Sequence, residues 1–211
     1  ESPATVDKRA WRGLGRKQGE TSNYLHDGGN NYFSLSVFNP DKDGFYARQK
    51  KCFAEQRVVM LDDVGTKVPL ERLPCEPSAL IETSPGNYQA IYILSEPITN
   101  AVDADNLMKA FIGAGLCDPG ADGPTARLAR LPRGINAKYD PPCSCRLRHW
   151  NPDKRYSREE LIEGFELKDF LAITEEKKSK KEKKPRPETG DQIYFPMEQE
   201  NPVVTGLKDR G

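Results

Sequence analysis

Apolar residues along this chain come in short runs, and the spacing within each run predicts its element. Residues 32–38, Tyr-Phe-Ser-Leu-Ser-Val-Phe, alternate in part, which is the period of a half-buried strand. Residues 45–57 are amphipathic and basic and predict a helix. Val58-Val59-Met60-Leu61 predicts a short buried strand running straight into Asp62-Asp63. Two further apolar runs, 79–83 and 88–94, flank Ser84-Pro85-Gly86-Asn87. Pro then Gly at the central positions suits a type II turn, because Pro presets φ and Gly accepts positive φ, so this segment predicts a hairpin. Val102, Leu107, Met108, Phe111, Ile112 and Leu116 fall at helical spacing and predict a helix over 101–116. A Gly/Pro/Asp loop at 117–125 leads into a strand over 127–132. Ser157, with Glu160 three residues on, forms a capping box that opens a helix over 158–165. No internal repeat is visible.

Both ends differ from this pattern. Residues 1–31 are rich in Gly, Asn and charge and close on Asp27-Gly28-Gly29-Asn30-Asn31, which reads as an arm. From about residue 174 the composition shifts: residues 177–184 are almost all Lys and Glu, and Pro185-Arg186-Pro187 follows. Such a segment predicts a solvated linker or tail. The expected organisation is an arm over 1–31, one domain over 32–172 and a charged tail over 173–211. With 36% hydrophobic and 30% charged residues, the 211-residue chain has no apolar stretch near the roughly 18 residues a membrane helix needs. Residues 1–20 carry Lys8, Arg9, Arg12, Arg16 and Lys17 with no apolar core behind them, unlike a signal peptide. Five irregularly spaced cysteines do not make a disulfide framework. These features predict a cytoplasmic protein with no membrane partner.

Charge changes the picture only when it is mapped. The formal net charge is zero, 32 Lys and Arg against 32 Asp and Glu, which taken alone argues against a nucleic-acid binder. Residues 58–126 hold 3 basic and 10 acidic side chains, whereas residues 127–158 hold 9 basic and 2 acidic. Two adjacent segments of opposite sign cancel in the sum.

Candidate chemistry lies in these segments. Asp62-Asp63 offers hard oxygen ligands for a divalent cation. Neighbours on a flat strand point to opposite faces, so a shared site needs a bulge or a strand end, which Gly65 permits; the alternative is an ordinary strand-to-turn pair. The turn Thr83-Ser84-Pro85-Gly86-Asn87-Tyr88-Gln89 can cradle a phosphate or ribose, or is a plain hairpin. Arg127, Arg130, Arg133, Asn136 and Lys138 fall within twelve residues, and could hold a triphosphate or a nucleic-acid backbone, or form a solvated basic face. Cys143, Cys145 and His149 lack a fourth ligand at a usual zinc spacing and read as reduced structural cysteines more readily than as a zinc site. The other histidine, His26, lies in the Gly-rich lead, so a Ser-His-Asp triad has little support.

The order of these pieces resembles the RepB-like primases of plasmids and phages, within the archaeo-eukaryotic primase (primase-polymerase) superfamily. The resemblance covers roughly residues 32–165 and is carried by Val58–Lys67, Glu82–Leu94 and Arg127–Lys138. It implies an α/β (α+β) primase core: an RRM-like antiparallel sheet carrying the acids, with a smaller N-terminal α/β unit beside it. The superfamily's first motif, a pair of metal-binding acids after a strand, matches Asp62 and Asp63, although the family usually spaces the two by one residue. Its Ser-x-His motif falls on the hairpin, with Gln89 where His is expected; Gln hydrogen-bonds a phosphate but carries no charge. A third acid matches Asp118, or failing that Asp122. The Arg-Leu-Pro-Gly-x-x-Asn-x-Lys pattern becomes Arg130-Leu131-Pro132-Arg133-Gly134-Ile135-Asn136-Ala137-Lys138, with one position inserted or replaced.

The resemblance implies primer synthesis on single-stranded DNA from nucleoside triphosphates. Mg²⁺ or Mn²⁺ would sit on Asp62, Asp63 and Asp118. Ser84, Asn87, Gln89, Arg130, Asn136 and Lys138 would bind the nucleotide, and Arg127, Arg133, Arg146 and Arg148 the DNA. It also implies the cytoplasm of a bacterial host. Relatives often carry a helicase domain after such a linker; no Walker A pattern occurs in this chain, so any such motor lies outside it. Two other readings compete. One is a catalytically degenerate primase fold that binds DNA at an origin. The other is a metal-dependent nuclease or initiator, which two distant histidines make weak.

Overall fold

The computed structural model describes residues 25–174, apart from 45, 47, 122, 124 and 126. The chain divides into units of 1–178 and 179–211; the second unit, most of the charged tail, lies outside the described residues. The elements are β1 (Tyr32–Ser34), β2 (Ser36–Phe38), β3 (Phe53–Val64), β4 (Ala79–Ser84), β5 (Asn87–Ile98), α1 (Ala101–Gly113), β6 (Leu128–Arg130), β7 (Ile135–Asn136), β8 (Cys143–Ser144), β9 (Arg146–Trp150), β10 (Arg155–Tyr156) and α2 (Arg158–Gly164). A third helix, α3, covers 168–174.

The hairpin of β4 and β5 organises the main sheet. Gly86 takes a φ of +72°, the positive value its turn requires, and Ser84 pairs with Asn87 across the turn. The twelve residues of β5 pair with β3 on one side and with β4 on the other, giving the antiparallel order β2-β3-β5-β4-β9. Beyond the end of β4, β10 runs parallel to β5, with Arg155 beside Ile93. β1 pairs with β6, and β7 with β8, as separate two-stranded ribbons.

Alternation along the strands separates two apolar layers. Val59, Leu61, Ala90, Tyr92 and Leu94 face the helices, where Leu107, Met108, Phe111, Leu161 and Phe165 complete the larger core. Tyr92, Phe165 and Phe111 meet edge to face at centroid distances of 5.5 and 5.1 Å. On the opposite face Met60, Ala79, Ile81 and Ile91 pack with Leu35 and Ala129, so the β1–β6 ribbon closes that side. Each fully buried Val, Leu, Ile, Phe or Met among them stabilises the fold by about 1.5–3 kcal/mol relative to exposure. The result is the mixed α+β architecture with an antiparallel sheet that the resemblance implies.

Several local expectations change. The helix expected over 45–57 is absent from the described residues: Lys50–Cys52 is one 3₁₀ turn and Phe53–Arg57 extends β3. β2 offers a pairing partner, with Ser36 opposite Gln56 and Val37 opposite Glu55, and the backbone hydrogen bonds of that ladder outweigh a weak helical spacing. The run 32–38 divides at Leu35 into strands of two different sheets. α1 stops at Gly113, three residues early, because Gly115 turns the chain with a φ of +68° while Leu116 still donates to the Phe111 carbonyl. The four short strands β7–β10 carry no period long enough to predict.

Candidate active site

At the end of β3 the alternation carries Asp62 onto the face of Met60, the face opposite the helices. The ladder with β5 then shifts between Leu61 and Val64, and Asp63 takes a φ of +59°. Asp is one of the few residues that tolerates this left-handed conformation. At this irregularity the Asp63 amide donates to Asp62 Oδ1 at 3.2 Å. The Asp63 carbonyl accepts from the amides of Lys67 (3.0 Å) and Val68 (3.2 Å), which curls the following turn back over the strand end.

Each carboxylate already has partners. Asp62 Oδ2 meets Arg127 Nη2 at 2.9 Å, and its Oδ1 accepts from Gln89 Nε2 at 3.3 Å. Asp63 Oδ1 accepts from Asn87 Nδ2 at 3.2 Å, while its Oδ2 lies 2.7 Å from Lys67 Nζ. The same ammonium lies 2.5 Å from Asp118 Oδ1. Asp118 Oδ2 accepts from the Gly120 amide at 2.9 Å. The Lys67 bond, reinforced by that amide, holds the Asp118 carboxyl below the usual carboxylate range. Hydrogen bonds from Lys67 to Asp118 and then Asp63 hold its own ammonium above the usual lysine range. Cys117 packs beneath, accepting from the Asp62 amide at 3.3 Å, and burial pushes its thiol up to about 11. Asp118, Lys67 and Arg127 thus converge on the acid pair, and Arg127 also donates to the Gly120 carbonyl. Lys67 was not among the residues expected from sequence. A lysine four positions after Asp63 becomes informative only when the turn folds back.

Gln89 links this cluster to the Arg-Leu-Pro segment, its Oε1 accepting from the Arg130 amide at 2.9 Å. Arg130 is turned inward. It donates to Asn136 Oδ1 (2.7 Å), Asn30 Oδ1 (3.0 Å) and the Ile135 carbonyl (3.2 Å), and stacks 5.0 Å over the Tyr32 ring. Asn136 is buried and donates to the Thr83 carbonyl at 3.0 Å. The Gly-Asn run before β1 therefore packs into the site. Gly134, at a φ of +111°, approaches Gly29 so closely that a Cβ would collide with its carbonyl, which accepts from the Ile135 amide at 2.9 Å. Arg133 pairs with Asp27 at 2.6 Å. At the hairpin Ser84 Oγ lies 3.4 Å from the Tyr139 hydroxyl, and Asn87 Oδ1 accepts from Thr66 at 2.7 Å. Lys138 is exposed beyond Asn136.

Arg146 and Arg148 are not brought to the acids. Arg146 stands opposite Glu82, and Arg148 Nε donates to the Glu82 carboxylate at 2.7 Å. His149 meets Glu76 at 3.2 Å, whereas Cys145 is buried near Arg130. All five cysteines are free. Among the described residues no group of three or more His, Cys, Asp and Glu is arranged to hold a metal ion. Asp122 lies outside the described residues. No described helix is long and apolar enough to cross a membrane.

An antiparallel sheet with an acid pair at a strand end, helices on one face and an Arg-rich ribbon on the other defines the class. The fold is that of the archaeo-eukaryotic primase-polymerases. It is similar to the AEP domain of the cyanophage S-2L primase-polymerase, with a TM-score of 0.54 and 12% identity over 71% of this chain and 77% of that one. The chain belongs to the RepB primase family: the RepB DNA-primase N-terminal domain matches residues 11–180. Primase RepB′ is a more distant structural neighbour, with a TM-score of 0.44 and 18% identity over 61% of this chain and 45% of that one. The catalytic domain of RepB′ in complex with initiator DNA gives 0.43 and 16%, over 64% of this chain and 65% of that one. No curated protein sequence matches the chain.

Proposed function

We propose that the chain is a template-directed nucleotidyltransferase that makes primers on single-stranded DNA from nucleoside triphosphates, in plasmid or phage replication in the bacterial cytoplasm. One observation carries the reading: Asp63, at the end of β3, and Asp118, in the loop after α1, already close on a single cation, the Lys67 ammonium. Carboxylates are the hard oxygen donors that Mg²⁺ and Mn²⁺ prefer, so this pair fits a divalent ion. When bound, such an ion lowers the pKa of an attacking hydroxyl and screens charge on the phosphates.

The chain's own residues supply the rest. Asp63 and Asp118 would hold such an ion in place of the Lys67 ammonium, whose side chain is exposed. Asp62 adds a third negative charge, oriented by Arg127 and Gln89. Ser84 and Asn87 at the hairpin, with Lys138 at the rim, take the triphosphate. Arg130 and Asn136 act by bracing the Thr83 carbonyl and the Asn30 run, and Arg127 and Arg133 are the template-side cations. Gln89 is engaged at both ends inside the protein, so it offers the nucleotide less than the family's histidine.

Dinucleotide synthesis with Mn²⁺ on a single-stranded template tests the reading. Asp63→Asn is the informative variant because Asn also tolerates positive φ. It and Asp62→Asn are each expected to lose about 100-fold or more, the consequence of removing several kcal/mol of charge stabilisation. Unchanged synthesis in both variants overturns the assignment. A second reading, a DNA-binding module without catalysis, is favoured by the engagement of Asp62 and Asp63 with Arg127 and Lys67. It predicts DNA binding with no synthesis, and no effect of either substitution on that binding.

A further inference from the structure

β9 is the outer strand of the main sheet, and its pairing with β4 fixes where its side chains lie. Trp150 stands opposite Ala79, and Leu147 opposite Ile81. Ala79 and Ile81 belong to the apolar layer of Met60 and Ile91. Residues directly opposite across an antiparallel ladder share a face. Trp150 and Leu147 therefore stand on the face that carries Asp62 and Gln89. They are not buried there: Trp150 is 58% exposed and Leu147 44%. At the far end of β4, Tyr139 is 42% exposed beside Ser84. Exposed rings and an aliphatic side chain thus follow β4 from Ala79 to Ser84, a span of about 17 Å at roughly 3.3 Å per residue.

Charge decides what fits this row. It lies within the 127–158 segment, whose nine Lys and Arg outnumber Asp140 and Asp153. Lys138 adjoins Tyr139, and Lys154 and Arg155, both exposed, follow Trp150. On the outer edge Arg146 stands exposed opposite Glu82, which Arg148 already neutralises. An apolar protein surface docked here would cover Lys138 and Arg155, which form no ion pair among the described residues. A single nucleic-acid strand meets both features, since its phosphates suit the cations and every base has a π-face for the rings.

We propose that Tyr139, Leu147 and Trp150 form a stacking track for single-stranded DNA, which leads the template across β4 toward the carboxylates. That the strand is a template rests on the function proposed above; the track itself does not require synthesis.

The test is equilibrium binding of a fluorescently labelled oligo-dT to the full chain, in EDTA and without nucleotide. Trp150→Ala is expected to weaken binding about 5- to 100-fold, the range for one lost base stack. Trp150→Phe, which keeps a ring, should retain most of the affinity. Wild-type affinity in both Trp150→Ala and Tyr139→Ala, with unchanged circular dichroism, overturns the track and leaves the Asp63→Asn synthesis test untouched. A wild-type dimer in sedimentation that dissociates in Trp150→Ala, with DNA binding unaltered, also overturns it and gives the β9 edge to a second copy.

Discussion

Lys67 shows how much one side chain can decide at this site. Its ammonium sits between Asp63 and Asp118, at 2.7 and 2.5 Å, the place given to a divalent ion in the function proposed above. Lysine and metal then compete for the same oxygens. Lys67→Met should tighten Mn²⁺ binding, measured by electron paramagnetic resonance without nucleotide; equal or weaker binding in the variant shows that the ammonium is no competitor. The acid pair was legible as a strand end, because two carboxylates follow the apolar run Val58-Val59-Met60-Leu61, though an ordinary strand-to-turn pair reads the same way. Their partners were not. Arg127 reaches Asp62 across 65 positions, and Lys67 reaches Asp118 across 51. No periodicity reports such distances. Arg130 adds what the pattern did not show: a cation expected at a phosphate donates within the protein to Asn30, Ile135 and Asn136. An inward guanidinium with three acceptors is a brace, and the site gains rigidity where the pattern suggested free charge.

At the level of elements, the best-read segments are those whose signals are complete within a few residues. The hairpin 79–98 carries its own turn, and α2 its own cap. Ser157 Oγ accepts from the Glu160 amide at 3.1 Å, and the Glu160 carboxylate accepts from the Ser157 amide at 2.6 Å. Ser157→Ala should cost about 1 kcal/mol, seen as a lower thermal midpoint. The Ser157 backbone amide, then its hydroxyl, holds the Glu160 carboxyl below the ordinary glutamate range. A depressed acid contributes stability above its unfolded pKa and loses it as pH falls through the folded one. The gap in midpoint between wild type and Ser157→Ala should therefore be smaller at pH 3 than at pH 7. A gap independent of pH shows that the Ser157 hydroxyl does not act on the Glu160 carboxyl. The helix expected over 45–57 failed for the converse reason. Its amphipathic spacing was short, and the deciding partner, β2, lies outside the segment. Gln56 shows the outcome: it is buried in β3 opposite Ser36, as a strand residue.

For the whole molecule, a net charge of zero conceals two opposed segments, and the fold sets them side by side. The acidic segment supplies β3, β4, β5 and α1 with Asp62, Asp63 and Asp118; the basic one supplies β6 to β10 around them. Binding of a single strand should then depend steeply on salt despite the neutral total, with a logarithmic slope of about −0.7 for each phosphate contacted. Affinity for oligo-dT that is flat between low and high salt would show that these cations do not face phosphate. Resemblance to a family supplied the α+β class; the sequence by itself determined the hairpin, the α2 cap, the acid pair at a strand end and the separation of charge. Those properties are local: they follow from periodicity, turn chemistry and counting. Only the tertiary structure decided that Lys67 and Arg127 close on the acids, that Arg130 and Asn136 brace the ribbon, and that Trp150 shares a face with Asp62. Each of those depends on sheet register and loop closure between residues far apart in the chain, where a shift of one position would send every side chain to the other face.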